Sequence, residues 1–163
     1  MRTIMKISSL VAAVAFVGTA SAATTTTNFG VTATVAGSCT LSTVPTLAFG
    51  TYDPTSGSNL DASTSITTTC TNTTPYNIGL DAGTASGATV SSRKMTSGGS
   101  TLSYNLYRDS ARTQNWGNTV GTDTLALTGS GAAQSATVYG RIPAGTPANI
   151  GSYSDTVMVT VSY

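Results

Sequence analysis

The sequence predicts an all-β protein, a sandwich or barrel of short strands. Three observations carry that expectation. Apolar and polar residues alternate with period two along much of the chain. Gly and Pro clusters interrupt the alternation at short intervals: Asp53–Gly57, Asp81–Gly87, Ser97–Gly99, Gly129–Gly131 and Pro143–Pro147. Hydroxyl residues dominate, with 33 Thr and 21 Ser among 163 positions. β-branched Thr favours strands, and a hydroxyl keeps an outer face wet without adding charge. After residue 22 no helical stripe of useful length appears.

Residues 1–22 have the form of a secretory signal peptide. Arg2 and Lys6 give the positive start, Ile7–Val17 the apolar stretch, and Ala20-Ser21-Ala22 the small-residue cleavage site. The apolar stretch falls short of the ~20 residues a membrane span needs. No second apolar run follows, so no membrane insertion is expected once the leader is gone. The expected mature chain is 23–163, exported through the Sec pathway. Thr24–Thr27 is a loose run. Asn28–Val35 then alternates, with Phe29, Val31, Ala33 and Val35 on one face and Asn28, Gly30, Thr32 and Thr34 on the other. From the pattern alone this is either the domain's own first strand or a strand for another sheet.

Cys39 and Cys70 are the only cysteines. In an oxidising compartment they are expected to pair. A closed loop of about 30 residues is worth ~3.7 kcal/mol in the chain-entropy model. Their spacing fits no Cys-x-x-Cys motif, which argues against a redox thiol. The following runs read as strands: Ser63–Thr71, Tyr76–Leu80 after Pro75, Thr101–Arg108, Thr124–Thr128 and Ser135–Ile142. In Thr101–Arg108, Leu102, Tyr104 and Leu106 share one face. The last run, Tyr153–Tyr163, puts Val157, Val159, Val161 and Tyr163 on one side. A complete immunoglobulin-like sandwich has one more strand covering this region of its core. Here alternation continues to the last residue, so the expectation is a sheet short of one strand.

Composition argues against several functions. Only 8% of residues are charged, against roughly a quarter in an ordinary domain. There is no His and no Glu, hence no imidazole base, no His metal ligand and little scope for paired carboxylates. Without the leader, five cations face six Asp, too little positive charge for a nucleic-acid partner. No enzyme activity and no cofactor are expected. Ser91 and Ser92 near Lys94 imitate a Ser–Lys couple, but nothing nearby presents an oxyanion hole. Asp53, Asp61 and Asp123 stand alone, as solvated turn residues rather than a calcium site. Asn72-Thr73-Thr74 matches a glycosylation pattern at the level of chance in so Thr-rich a chain. Arg108, Asp109, Arg112 and Trp116 form the densest polar–aromatic cluster, read as a turn locked by an Arg–Asp pair and an aromatic cap rather than as a sugar or anion site.

Several stretches together resemble one family. Phe29-Gly-Val-Thr-Ala-Thr-Val-Ala-Gly-Ser-Cys39-Thr with Leu47-Ala-Phe-Gly-Thr-Tyr52 is similar to the start of a spore coat protein U domain. Leu102–Thr113 with Trp116-Gly117, then Val138–Ala144 and Gly151–Tyr163, resemble its later strands in the right order. The family includes subunits of archaic, Csu-type chaperone–usher pili. The resemblance implies an incomplete immunoglobulin-like β-sandwich lacking its last strand and completed by donor-strand exchange. It implies a donor-strand extension at 23–37 and a pilin domain at 38–163. Phe29, Val31, Ala33 and Val35 would fill the neighbour's groove, whose C-terminal strand carries Val157, Val159, Val161 and Tyr163. Expected partners are a periplasmic chaperone, an outer-membrane usher and neighbouring subunits. The expected location is the periplasm and then a surface pilus, with a role in adhesion and biofilm. The alternative is a self-contained secreted coat or matrix protein.

Overall fold

The computed structural model describes residues 18–163 and divides at Thr34–Val35 into two units. The charged start and apolar stretch of the leader lie outside the described residues. In the first unit, residues 18–34 hold no strand, and Phe29 is 87% exposed. The alternation of 28–35 therefore does not make a strand within this chain.

The second unit carries eight strands among the described residues: β1 (Cys39–Leu41), β2 (Leu60–Cys70), β3 (Pro75–Leu80), β4 (Arg93–Ser97), β5 (Ser100–Tyr107), β6 (Leu125–Thr128), β7 (Ala133–Ile142) and β8 (Val159–Ser162). They form a five-stranded sheet, β1-β2-β7-β5-β4, and a three-stranded sheet, β6-β3-β8. Every pairing is antiparallel. The expected all-β, immunoglobulin-like sandwich is thus present. No helix among the described residues is long and apolar enough to cross a membrane.

Period-two burial builds the core between the sheets. β2 and β7 pair from Leu60↔Ile142 to Thr69↔Ala133, and point Ile66, Ala136, Val138 and Ile142 inward. β5 adds Leu102, Tyr104 and Leu106, the face the alternation predicts; β3 adds Tyr76, Ile78 and Leu80. Cys39 and Cys70 lie opposite each other in the β1–β2 ladder and are bonded. Thr68, fully buried, shares a hydrogen bond of 2.9 Å with the Tyr76 hydroxyl.

Two buried side chains tie strands to loops. Trp116 is 0% exposed, and its indole N–H donates to the Ile78 carbonyl at 2.8 Å. Arg93 is also 0% exposed, and its guanidinium donates to the carbonyls of Leu80, Asp81, Val90 and Trp116 at 2.7–2.9 Å. Burial lowers its pKa, but four carbonyl dipoles take the place of the lost water.

Several expectations need correction. β4 was not foreseen, because Arg93-Lys94 breaks the apolar pattern at its start. The final run is a strand only from Val159. Arg108, Arg112 and Asp109 do not pair. Asp109 instead accepts the backbone N–H groups of Thr113 and Gln114, four and five residues on, and so closes the loop between them. Arg108 reaches the Thr124 carbonyl, and Arg112 lies 3.3 Å from Asp61. Asp61 is no solvated turn residue: it sits on β2 and takes a two-point contact from Arg141 at 2.8 and 2.9 Å.

Candidate strand-acceptor groove

The sandwich is open along one flank, between the segment 44–52 and the segment 153–163. The first wall is not a strand; side chains hold it in place. Thr64 Oγ1 donates to the Pro45 carbonyl at 2.9 Å. The Tyr52 hydroxyl donates to the Pro143 carbonyl at 3.0 Å and accepts from the Thr146 N–H at 2.8 Å. Leu47 and Phe49 lie over β7 at Gly140. A Cβ there would sit 2.8 Å from the Phe49 ring and 3.0 Å from the Leu47 δ carbons, so glycine is what lets this wall seat on the sheet. Phe49 also meets Tyr104 edge-on, with ring centroids 6.0 Å apart.

The opposite wall crosses from one sheet to the other. Ser154 exchanges two backbone bonds with Thr96 of β4, at 2.9 and 3.1 Å. Four residues on, the Asp81 N–H donates to the Met158 carbonyl at 3.1 Å, and β8 continues along β3. Asp155 pins the crossover: it accepts the Tyr104 hydroxyl at 2.7 Å and the Thr84 N–H at 2.8 Å. Burial, followed by this bond to a carboxylate, pushes the Tyr104 pKa far up, so Tyr104 acts as a neutral donor.

Between the walls lie two cavities, of about 740 and 320 Å³. Their floor is the core itself: Leu102, Tyr104, Leu106 and Ile142 under the larger, Ile66, Leu106 and Val138 under the smaller. Val157 lines both, and Val159 lines the smaller.

The backbone beside the groove is equally open. In an antiparallel ladder, hydrogen-bonded and non-bonded pairs alternate. Met158 bonds to Asp81, so in this register the next bonded pairs are Gly79–Thr160 and Asn77–Ser162. The N–H and C=O groups of Val159 and Val161 therefore point away from β3. Among the described residues no strand pairs with that edge. A row of unpaired backbone groups beside an apolar cleft is a template for an added strand.

The residues singled out in the sequence fall in three places. Val157, Val159 and Val161 are half-buried and pack on the core, while Tyr163 is 65% exposed. Phe29, Val31, Ala33 and Val35 are all exposed and outside any strand. The disulfide lies at the β1–β2 edge. The first wall, 44–52, was missed as a wall. The period-two pair Leu47 and Phe49 was a signal for it, but Gly50, at φ 78°, and Pro54 cut the run short.

Comparison with known proteins agrees with this architecture. A family model described as the Spore Coat Protein U domain matches residues 25–160. Protein U of Myxococcus xanthus is 38% identical over 158 residues, with 88% of each chain covered. Among solved structures, the fold is similar to a chain in the crystal structure of the CsuC–CsuE chaperone–tip adhesion subunit pre-assembly complex from archaic chaperone–usher Csu pili of Acinetobacter baumannii. That match has a TM-score of 0.58 and 23% identity, and covers 80% of this chain and 40% of that one.

Proposed function

The chain belongs to the spore coat protein U domain family, and from that premise we propose that it is a structural, non-catalytic subunit of an extracellular chaperone–usher pilus. Residues 1–22 direct export to the periplasm. A periplasmic chaperone lends a strand to the groove beside β8. At an outer-membrane usher, residues 28–35 of the next subunit replace it. Each link is head-to-tail and does not close on itself, so repetition grows a fibre. The surface fibre then serves adhesion and biofilm formation.

One observation carries this reading: the β8 edge is unpaired over an open apolar groove, in a chain that also holds an exposed, alternating, strandless segment. The energetics support it. Burying Phe29, Val31 and Val35 is worth about 1.5–3 kcal/mol each. Ladder bonds add about 0.5–1.5 kcal/mol each. Together these exceed an association cost of at least ~4 kcal/mol.

The test is a gel of unboiled surface extract. Wild type should give a ladder of multimers. Deletion of 23–36, or Val31→Asp, should give only chaperone-bound monomer, since an unpaired carboxylate does not enter an apolar cleft. Thr32→Ser, on the polar face, should keep the ladder. An intact ladder from the deletion would refute the reading. The second reading, a self-contained coat or matrix protein, draws on the family's descriptive name. It predicts instead a stable monomer, purified without a chaperone, with 28–35 protected from proteolysis.

A further inference from the structure

The outer face of the five-stranded sheet, on the side away from the core, gathers most of the chain's scarce positive charge. After residue 22 there are five cations, and one of them, Arg93, is buried. Arg141 points outward on β7, since its neighbours Gly140 and Ile142 point inward. Lys94 points outward on β4, between the inward Arg93 and Met95. Arg112 reaches the same face from the loop after β5. Its φ of 58° is uncommon for a residue other than glycine. Its guanidinium lies over the Tyr139 ring, 5.6 Å from the centroid. Asp61 is the one carboxylate on the strands of this sheet. The rest of the 108–116 cluster stays apart: Trp116 is buried, Asp109 is turned into its own loop, and Arg108 is turned to Gln114 and Thr124.

Arg112 and Arg141 are held in place but not used up. Both reach Asp61 Oδ1, at 3.3 and 2.8 Å, and Arg141 Nη2 donates to Oδ2 at 2.9 Å. Arg112 also donates to the carbonyls of Gly140 and Ser110. Arg112 Nη2 and Arg141 Nη1 have no hydrogen-bond partner among the described residues. The two side chains are 15% and 27% exposed. Tyr107 lies directly opposite Tyr139 in the β5–β7 ladder, and both are half-buried. Further along, the outward residues of β2 and β7 are hydroxyls: Ser63, Ser65, Thr67, Ser135 and Thr137.

We propose that this face binds an acidic polysaccharide: a sugar carboxylate takes the spare N–H groups of Arg112 and Arg141, and a sugar ring lies on Tyr107. Guanidinium N–H groups match a carboxylate in geometry as well as in charge. Both arginines are already fixed, so binding orders few side chains. The hydroxyl rows can bond sugar hydroxyls, whereas they offer a peptide no apolar anchor. Two spare guanidinium groups are too few to track a nucleic-acid backbone.

The experiment measures binding of the mature chain to immobilised polygalacturonate at low salt, with dextran and poly-aspartate as comparisons. Wild type should bind polygalacturonate, ignore dextran, and bind poly-aspartate, which has no ring to stack, several-fold more weakly. Arg112→Gln or Arg141→Gln should weaken polygalacturonate binding about tenfold, and Tyr107→Ala a few-fold. Arg108→Gln removes the same charge outside the face and should change it little. Ser63→Glu, across from Tyr139, deletes none of the face's arginine contacts and should abolish binding by repulsion. It tests the face even where Arg112→Gln loosens its loop. Equal binding to poly-aspartate, or an Arg108→Gln loss as large as that of Arg112→Gln, would reduce the effect to bulk charge and overturn the proposal. Failure of wild type to bind polygalacturonate, or undiminished binding by Ser63→Glu, would overturn it as well.

Discussion

The two flanks of the sandwich solve the same problem in opposite ways. On the flank where β3 meets Trp116 and Arg93, backbone carbonyls are satisfied by the chain's own side chains. One indole N–H and four guanidinium bonds close that side, with both side chains 0% exposed. On the β8 flank, core side chains floor an open groove and the backbone of Val159 and Val161 faces outward unpaired. The fold spends an arginine in its interior to finish one side and leaves the other unfinished. An edge of this kind is an aggregation hazard unless something covers it. The contrast teaches that the opening is local: one flank is closed by the chain's own side chains, and the other leaves a strand edge unpaired.

Substitutions on the two flanks should therefore fail in different assays. The largest loss of stability is expected at Trp116→Ala, about 3–5 kcal/mol for the cavity, and at Arg93→Met, more than about 3 kcal/mol because several buried carbonyls lose their donor. Urea denaturation of the chaperone-free mature chain checks both; a change below 1 kcal/mol at either would break the comparison. Next comes Cys70→Ser, expected to cost ~3.7 kcal/mol of loop-closure entropy and to lower exported yield. Intact mass before and after reduction should show no free thiol in native material. Val159→Asp on the open edge should behave differently. It should lower the urea midpoint less than Trp116→Ala does, because its side chain is only half-buried, yet abolish multimers on the unboiled gel.

The smallest effect is expected at Asp61→Asn, on the outer face of the five-stranded sheet. Arg141, aided by the Arg112 charge and opposed by slight burial, holds the Asp61 carboxyl below its usual range. A depressed folded pKa stabilises above the unfolded value near 3.9 and is lost as pH falls through the lower folded value. The pair is largely exposed, so its worth is a few tenths of a kcal/mol. Melts at successive pH values should show wild type slightly ahead at pH 6, with the gap closing below about pH 4.

What could be read in the sequence follows from what alternation records. Period two says which side chains share a face, and it located β2, β3, β5 and β7 to within a few residues, and in β5 the inward rail as well. It does not say which backbone a strand pairs with. Hence 28–35 and 153–163 looked alike, although the first holds no strand and the second becomes one only from Val159. Alternation is also silent where the sequence is charged or kinked. Arg93 opens β4 as a buried cation, and its carbonyl partners are Val90 in the turn just before it, Leu80 and Asp81 at the end of β3, and Trp116. Leu47 and Phe49 are held by Gly140, Thr64 and Tyr52, contacts no local window contains. The Arg108–Asp109–Arg112 cluster misled for the same reason: neighbours in sequence found their partners in β2 and in the loop before β6.

The central claim is that one edge of β8 awaits a strand, and amide hydrogen exchange tests it residue by residue. In the free mature chain, the Thr160 amide, paired to Gly79, should be protected, while the Val159 and Val161 amides on either side should exchange freely. Adding a peptide of residues 26–37 should protect Val159 and Val161 and leave Thr160 as it was. If Val159 and Val161 are already protected in the free chain, or stay unprotected when the peptide is bound, the edge is not an acceptor and the account is wrong.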